Sequence, residues 1–148
     1  MTCGDVMAAA EGPRIVGVLE TALYVDDLAR AAQFYEHVLG LTVLVKDARL
    51  VAYDCGPGSV LLLFRRGTTG ETVRLPGGEI PPHEGAGRLH FALAIRREDL
   101  GRFEERLTQR GVAIEAPMKW PRGGESLYFR DPDANLVELA TPGLWANY

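Results

Sequence analysis

The stretches LETALYV at 19–25 and LHFALAI at 89–95 superpose at an offset of 70 residues, with Leu19/Leu89, Ala22/Ala92 and Leu23/Leu93 identical. The first belongs to a β-former-rich run, Val16–Val25, that puts Glu20, Ala22 and Tyr24 on one face and Leu19, Thr21, Leu23 and Val25 on the other, the period of a strand. Asp26 and Asp27 then offer helix-capping oxygens, and Leu28, Ala31, Ala32, Tyr35, Val38 and Leu39 recur as the stripe of an amphipathic helix closed by Gly40. Leu41–Val45, Leu50–Asp54 and Ser59–Phe64 read as three strands, with a Gly-Pro-Gly turn at 56–58. The same order returns after 89. Asp99-Leu100 repeats Asp27-Leu28, and Leu100, Phe103 and Leu107 make the second stripe. Gly111 repeats Gly40, and strands are predicted at 112–118, 125–130 and 135–140 around a DPDAN turn at 131–135. The chain is thus a tandem β-α-β-β-β duplication, and each unit alone has a half-buried sheet that needs a partner.

Working outward, 148 residues fit one compact domain or two small modules sharing a core. The apolar and charged fractions, 47% and 24%, are those of a globular protein. A net charge of −4 with no block of like charge predicts no nucleic-acid partner. No run of about 18 apolar residues predicts a membrane span. Met1–Arg14 has no basic region ahead of an apolar stretch, so it reads as a flexible segment rather than a secretory signal, and a cytoplasmic location is expected. Cys3 and Cys55 make no disulfide framework, and Cys55 reads as a small core residue.

The segments are then 1–14 flexible, 15–66 the first module, 67–87 a Gly/Pro-rich linker, 88–142 the second module and 143–148 a tail. The linker has six glycines, three prolines and no apolar periodicity, and is longer than a plain connection needs. It is either a flap at the mouth of a site or an idle tether.

The duplication picks out the chemistry. Glu20 and His90 occupy the same place in the two first strands. Glu138 interrupts an apolar strand, LVELA, where its counterpart in the first unit is Leu62. A carboxylate in a buried strand is costly unless it is paired or binds metal. If both sheets curve about a common axis, Glu20, His90 and Glu138 converge from three strands. One imidazole and two carboxylates suit a divalent ion such as Mn, Fe, Co, Ni or Zn, with positions left for water and substrate. The plain alternative makes the glutamates surface residues and His90 a hydrogen-bonded core histidine. Tyr24, beside Glu20, and Tyr128 are candidates to orient substrate or donate a proton, against a role as ordinary core tyrosines. In the MKWPRGG turn, Lys119 and Trp120 are candidates to hold an anionic substrate group, and His83 in the linker could swing over the site. Arg130 is expected to pair with Asp131 or Asp133, and His37 to face solvent.

ETALYVDDLARAAQFYEHVLGL, LHFALAI and FRDPDANLVELATP resemble three ordered signatures of the vicinal oxygen chelate superfamily, which includes glyoxalase I, bleomycin-resistance proteins, fosfomycin-resistance thiol transferases and extradiol dioxygenases. The resemblance spans about residues 16–142. It implies an α+β fold of two βαβββ modules in a cupped mixed sheet with helices outside, a metal near its centre, and a homodimer. It places ligands on Glu20, His90 and Glu138. The departures are Glu20, where the family commonly has histidine or glutamine, and Leu62, where glyoxalase I has a fourth ligand. The expectation is a metal-dependent enzyme (lyase, isomerase or dioxygenase) on a small oxygen-rich substrate, with catalytic roles for Glu138 and Tyr128. The alternative is a metal-free small-molecule binding protein of the bleomycin-resistance type.

Overall fold

The computed structural model describes residues 12–148; Cys3 and most of the 1–14 segment lie outside the described residues. The first module runs β1 (Glu20–Val25), α1 (Leu28–Gln33) continuing into a π-helical turn (Phe34–Val38), β2 (Thr42–Lys46), β3 (Leu50–Asp54) and β4 (Val60–Arg65). Two short strands follow, β5 (Val73–Leu75) and β6 (Gly78–Ile80). The second module is β7 (His90–Ala94), a 3-10 turn (Arg97–Asp99), α2 (Leu100–Gln109), β8 (Ala116–Lys119), β9 (Glu125–Arg130) and β10 (Leu136–Ala140). The fold is α+β and built from two tandem βαβββ modules.

Each module folds into its own four-stranded sheet, ordered β1-β4-β3-β2 and β7-β10-β9-β8. The first strand of each runs parallel to the last, with Ala22 opposite Leu62 in one and Ala92 opposite Glu138 in the other. The repeat equivalence of Leu62 and Glu138 is therefore structural. Each module of the expected α+β pair thus contributes one mixed four-stranded sheet.

The Asp27 side chain caps α1 by accepting from the Arg30 amide (3.1 Å). The helix then widens, so that the adjacent residues Phe34 and Tyr35 are both buried. Gly40 leaves it at φ +73°, where a side chain would be strained. Leu23, Val25, Leu61 and Leu63 of the first sheet and Leu127, Phe129, Val137 and Leu139 of the second share one core with residues of both helices. Phe34 packs against Phe129 (6.1 Å between ring centres) and Tyr35 against Phe91 (6.4 Å). The modules thus meet through their helix-bearing faces, and the alternate face of each sheet, carrying Glu20, Ala22 and Tyr24 or His90, Ala92 and Glu138, lies on the other side.

β1 begins at Glu20, not Val16. Its neighbour β4 begins at Val60, whose amide bonds to the Leu19 carbonyl (2.8 Å), so upstream residues have no ladder to join. Ile15, Val16 and Val18 are left almost fully exposed (94%, 103% and 76%). β8 likewise spans only the end of the expected 112–118 strand. The 67–87 segment, read as lacking regular structure, carries the β5–β6 hairpin. Among the described residues, no helix is long and apolar enough to cross a membrane.

The DPDAN turn ties the modules together. Asp131 is buried and accepts from the Tyr35 hydroxyl (2.7 Å), the Asn135 side-chain amide (2.9 Å) and the backbone amides of Asp133 and Asn135 (2.9 Å each). Arg130 does not pair with either aspartate as expected. Its guanidinium meets Glu115 (2.7 Å) and the Ala134 carbonyl (3.1 Å), while Asp133 takes Arg30 (3.4 Å) and the Asp26 amide (3.2 Å). Both aspartates thus reach across the module boundary, Asp131 to Tyr35 and Asp133 to Arg30 and the Asp26 amide. Burial, and next the Asp131 carboxylate, hold the Tyr35 hydroxyl well above the usual phenol range, so it remains a donor. Tyr35→Phe should cost about 1–3 kcal/mol by leaving a buried carboxylate short of one donor; urea denaturation read by circular dichroism measures it.

Candidate metal centre

His90 opens β7 and Glu138 sits mid-β10, one step along the parallel register. The His90 Nδ1 lies 2.9 Å from the Leu136 carbonyl, which can only accept, so Nδ1 carries a proton and the neutral ring would present its lone pair at Nε2. That Nε2 faces Glu138 Oε2 at 3.5 Å. With the ring neutral, two acceptors face each other, and a cation between them would satisfy both. Glu138 is buried (5% exposed), and its other oxygen, Oε1, has no hydrogen-bond partner. The spacing suits two ligands of one ion bound at ~2.0–2.2 Å each, and an imidazole locked by a carbonyl on its far nitrogen is the usual second support of a metal ligand. The residues present therefore fit a divalent metal.

Among the described residues, no third His, Cys, Asp or Glu joins this pair. Glu20 does not converge with them within one chain, because β1 and β7 belong to different sheets. It is exposed on the β1 edge, on the face away from the core. Leu62 lies on that same face and adds no donor.

The face around Glu138 is otherwise polar in one row. Tyr128 stands directly opposite Glu138 in the β9–β10 register, its ring 6.3 Å from the His90 ring. Burial first, then the neighbouring Glu138 carboxylate, raise its hydroxyl above the ordinary phenol value, which keeps it protonated near neutrality. Trp120 donates its indole N–H to Ser126 Oγ (2.8 Å), the next residue along that face. Lys119, paired with Glu125, has the opposite parity and shares the Leu127 side of the sheet, away from His90 and Glu138. Its proposed place beside an anionic substrate group is not where the register puts it.

Tyr24 and His83 meet elsewhere. The Tyr24 hydroxyl lies 2.5 Å from His83 Nδ1, and the His83 ring sits edge-on to Phe64 (4.9 Å). His83 is also bound to Thr69 through both its backbone amide (3.0 Å) and its carbonyl. His83 thus rests on the first sheet rather than over the His90–Glu138 pair. His37 is exposed, as its place off the helix stripe implied. Burial pushes the half-buried Cys55 thiol up, as befits a packing residue rather than a nucleophile.

Two contributors escaped the sequence reading. Ser126 was visible through alternation, being two residues before Tyr128 and so on the same face. Nothing in the sequence marks Thr69, whose burial arises from the hairpin's return past it.

The family profile of the glyoxalase/bleomycin resistance protein/dioxygenase superfamily matches residues 17–139. The chain belongs to that superfamily. It is 31% identical to the metallothiol transferase FosB of Bacillus licheniformis over 88% of this chain and 79% of that protein. It is also 31% identical to the glutathione transferase FosA of Serratia marcescens, over 84% of this chain and 79% of the relative. Among solved structures, one described as a lactoylglutathione lyase from Agrobacterium tumefaciens superposes with a TM-score of 0.81 at 32% identity, covering 90% of this chain and 99% of that one. The superfamily matches the signatures read at 20–41, 89–95 and 129–142, and the matched span ends just past Glu138.

The Tyr24–His83 contact yields a prediction of its own. Gly85 packs on the Tyr24 ring so closely that a β-carbon there would overlap it. Gly85→Ala should release the 81–88 segment from the first sheet and speed amide exchange at His83, with the His90–Glu138 pair undisturbed; hydrogen-exchange mass spectrometry reads both.

Proposed function

We propose that the protein is a metal-dependent enzyme acting on a small oxygen-rich substrate, with His90 and Glu138 of one chain and Glu20 of a second copy holding a divalent ion. The observation that carries this reading is the approach of His90 Nε2, its ring oriented from Nδ1, to the buried, partly unpartnered Glu138 carboxylate. A second copy supplies the third ligand because Glu20 and His90 both lie on edge strands whose outer sides are unpaired. The exposed Ile15, Val16, Val18 and Leu19 next to β1 give such a homodimer apolar surface to bury. The named activities of the relatives, a metallothiol transferase, a glutathione transferase and a lactoylglutathione lyase, favour an enzyme over a metal-free binding protein.

When bound, the ion would supply a Lewis acid that draws two substrate oxygens together and stabilises negative charge developing on one of them. The chain's own residues do the rest. His90, fixed by the Leu136 carbonyl, offers Nε2 in one orientation only. Tyr128 keeps its proton and stands beside Glu138, where it can hydrogen-bond a substrate oxygen or give the proton up as charge collects there. The open face between β7 and β9 has only Ala92 and Ala94 beside the ligands on β7, which leaves room for a small substrate. Leu62 in place of a fourth donor disfavours the glyoxalase I reaction and would leave the oxygen-rich substrate two or more coordination positions.

Protein prepared without chelators should contain about one divalent ion per chain, lost in His90→Ala and Glu138→Ala and weakened in Glu20→Gln, as removal of one ligand or one charge requires. Metal content by plasma mass spectrometry checks this. Mixing Glu20→Ala with His90→Ala protomers should restore one intact site per mixed dimer. Absence of metal from the wild type, or its persistence in all three single variants, would overturn the assignment; failure of the mixture to regain metal would place Glu20 elsewhere.

A further inference from the structure

Trp120, Ser126, Tyr128 and Glu138 form a row on the open face of the second sheet. The register places Tyr128 opposite Glu138, with Ser126 two residues before it on the same strand. Trp120 Nε1 meets Ser126 Oγ at 2.8 Å. The chemistry of these groups fixes the direction of the row. An indole N–H only donates, so Ser126 accepts from Trp120 and has its own proton left to give. Its neighbour toward the site is the Tyr128 hydroxyl, and the Tyr128 proton in turn has the Glu138 carboxylate before it, a group that accepts only.

Trp120 is built into position, not loosely draped. Its amide and carbonyl bond to Gly124 and Gly123 (2.8 and 2.9 Å), and Gly124 lies so close to Gly143 that neither has room for a β-carbon. The tail holding Gly143 is itself held by Tyr148, whose hydroxyl donates to the Ala140 carbonyl on β10 (2.7 Å). Ser126 is fully buried (1% exposed). A buried hydroxyl placed between a donor-only indole and a phenol is a relay rather than a filler.

We propose that Trp120 and Ser126 are positioning residues that act through Tyr128 to orient the Glu138 carboxylate toward its ion; the proposal rests on the metal-centre reading above. Trp120 then touches the hydrogen-bond chain and not an anionic substrate group. The row sets the Tyr128 hydroxyl against the Glu138 carboxylate and so fixes the rotamer that turns Oε2 toward His90 Nε2.

The test uses the full chain and Co(II) alone as probe, with affinity and the visible ligand-field spectrum as readouts. Ser126→Ala should weaken Co(II) binding by about 10–100-fold, the usual effect of losing an outer-shell partner, and alter the spectrum. Ser126→Thr, which keeps the hydroxyl, should restore both. Trp120→Phe, which keeps an aromatic ring but no donor, should shift the same spectrum and serves as the second arm should Ser126→Ala fail to fold. In a Trp145→Phe background only Trp120 reports, since the chain has two tryptophans, and Zn(II) should shift its emission in the wild-type row but not in Ser126→Ala. Co(II) binding that depends on His90 and Glu138 yet is unchanged in affinity and spectrum by Ser126→Ala and Trp120→Phe would overturn the relay while leaving the metal centre standing. No Co(II) binding by the wild type would overturn both.

Discussion

The Asp131 carboxylate, buried between the Tyr35 hydroxyl and the Asn135 amide, is the constraint on which the rest of the molecule hangs. A tandem repeat gives two half-buried sheets but does not say how they meet. The Tyr35–Asp131 bond supplies that answer by fastening the first module's helix to the turn between β9 and β10. The same turn sets the site. Asn135 Oδ1 accepts from the Leu89 amide (2.9 Å), and the Leu136 amide bonds to the Leu89 carbonyl (2.7 Å), which aligns β7 with β10 and brings His90 level with Leu136. The turn that Tyr35 grips from the first module thus also sets the spacing of His90 and Glu138 within the second. The cost of desolvating a carboxylate is offset by four hydrogen bonds rather than by an ion pair, which lets Arg130 go elsewhere.

The candidate metal centre inverts that logic. Asp131 is buried and saturated; Glu138 is buried and left with an orphan oxygen that faces no donor. Under the proposed function, that open acceptor is met by an ion which the chain does not itself supply. The alternative partner, a proton shared with His90, would satisfy Oε2 alone and still leave Oε1 without a donor. A divalent ion with water or substrate oxygens around it satisfies more of the site.

Much of this was legible in the sequence because it followed from periodicity. The offset between 19–25 and 89–95 and the alternation along each strand were enough to name Glu20, His90 and Glu138 as facing alike, and the register pairing Ala22 with Leu62 and Ala92 with Glu138 agrees. What was not legible depended on contacts between segments distant in sequence. The meeting of Glu20 with the other two assumed sheets curving about one axis, whereas the modules join through their helices. The side taken by Lys119 is not legible because β8 is a short edge strand whose parity is set by β9, not by its own composition. Arg130 was paired by proximity in sequence, although Tyr35, 96 residues from Asp131, competes for that carboxylate and wins by being buried with it. The linker's fine structure came from Thr69 and Tyr24, which hold His83 from either side and leave no trace in a glycine count.

The asymmetry between the repeats is where function enters. Equivalent positions hold His90 and Glu20 on the first strands, and Glu138 and Leu62 on the last, so the second module carries a donor pair and the first a single carboxylate. A sheet with one donor cannot hold an ion, and a sheet with two holds it poorly; under the proposed assembly, only two copies complete the set. The resulting ligands, two carboxylates and a neutral imidazole, cancel the formal charge of a divalent ion. Its pull on a substrate oxygen is then weaker than in a site with two imidazoles and one carboxylate, while affinity for a hard or borderline ion is kept. On the proposed function, such an ion would serve mainly to chelate and align two oxygens, held by His90, Glu138 and a second copy's Glu20. The burden of meeting developing charge then shifts to a nearby proton, and on this face the hydroxyl placed to carry it is Tyr128.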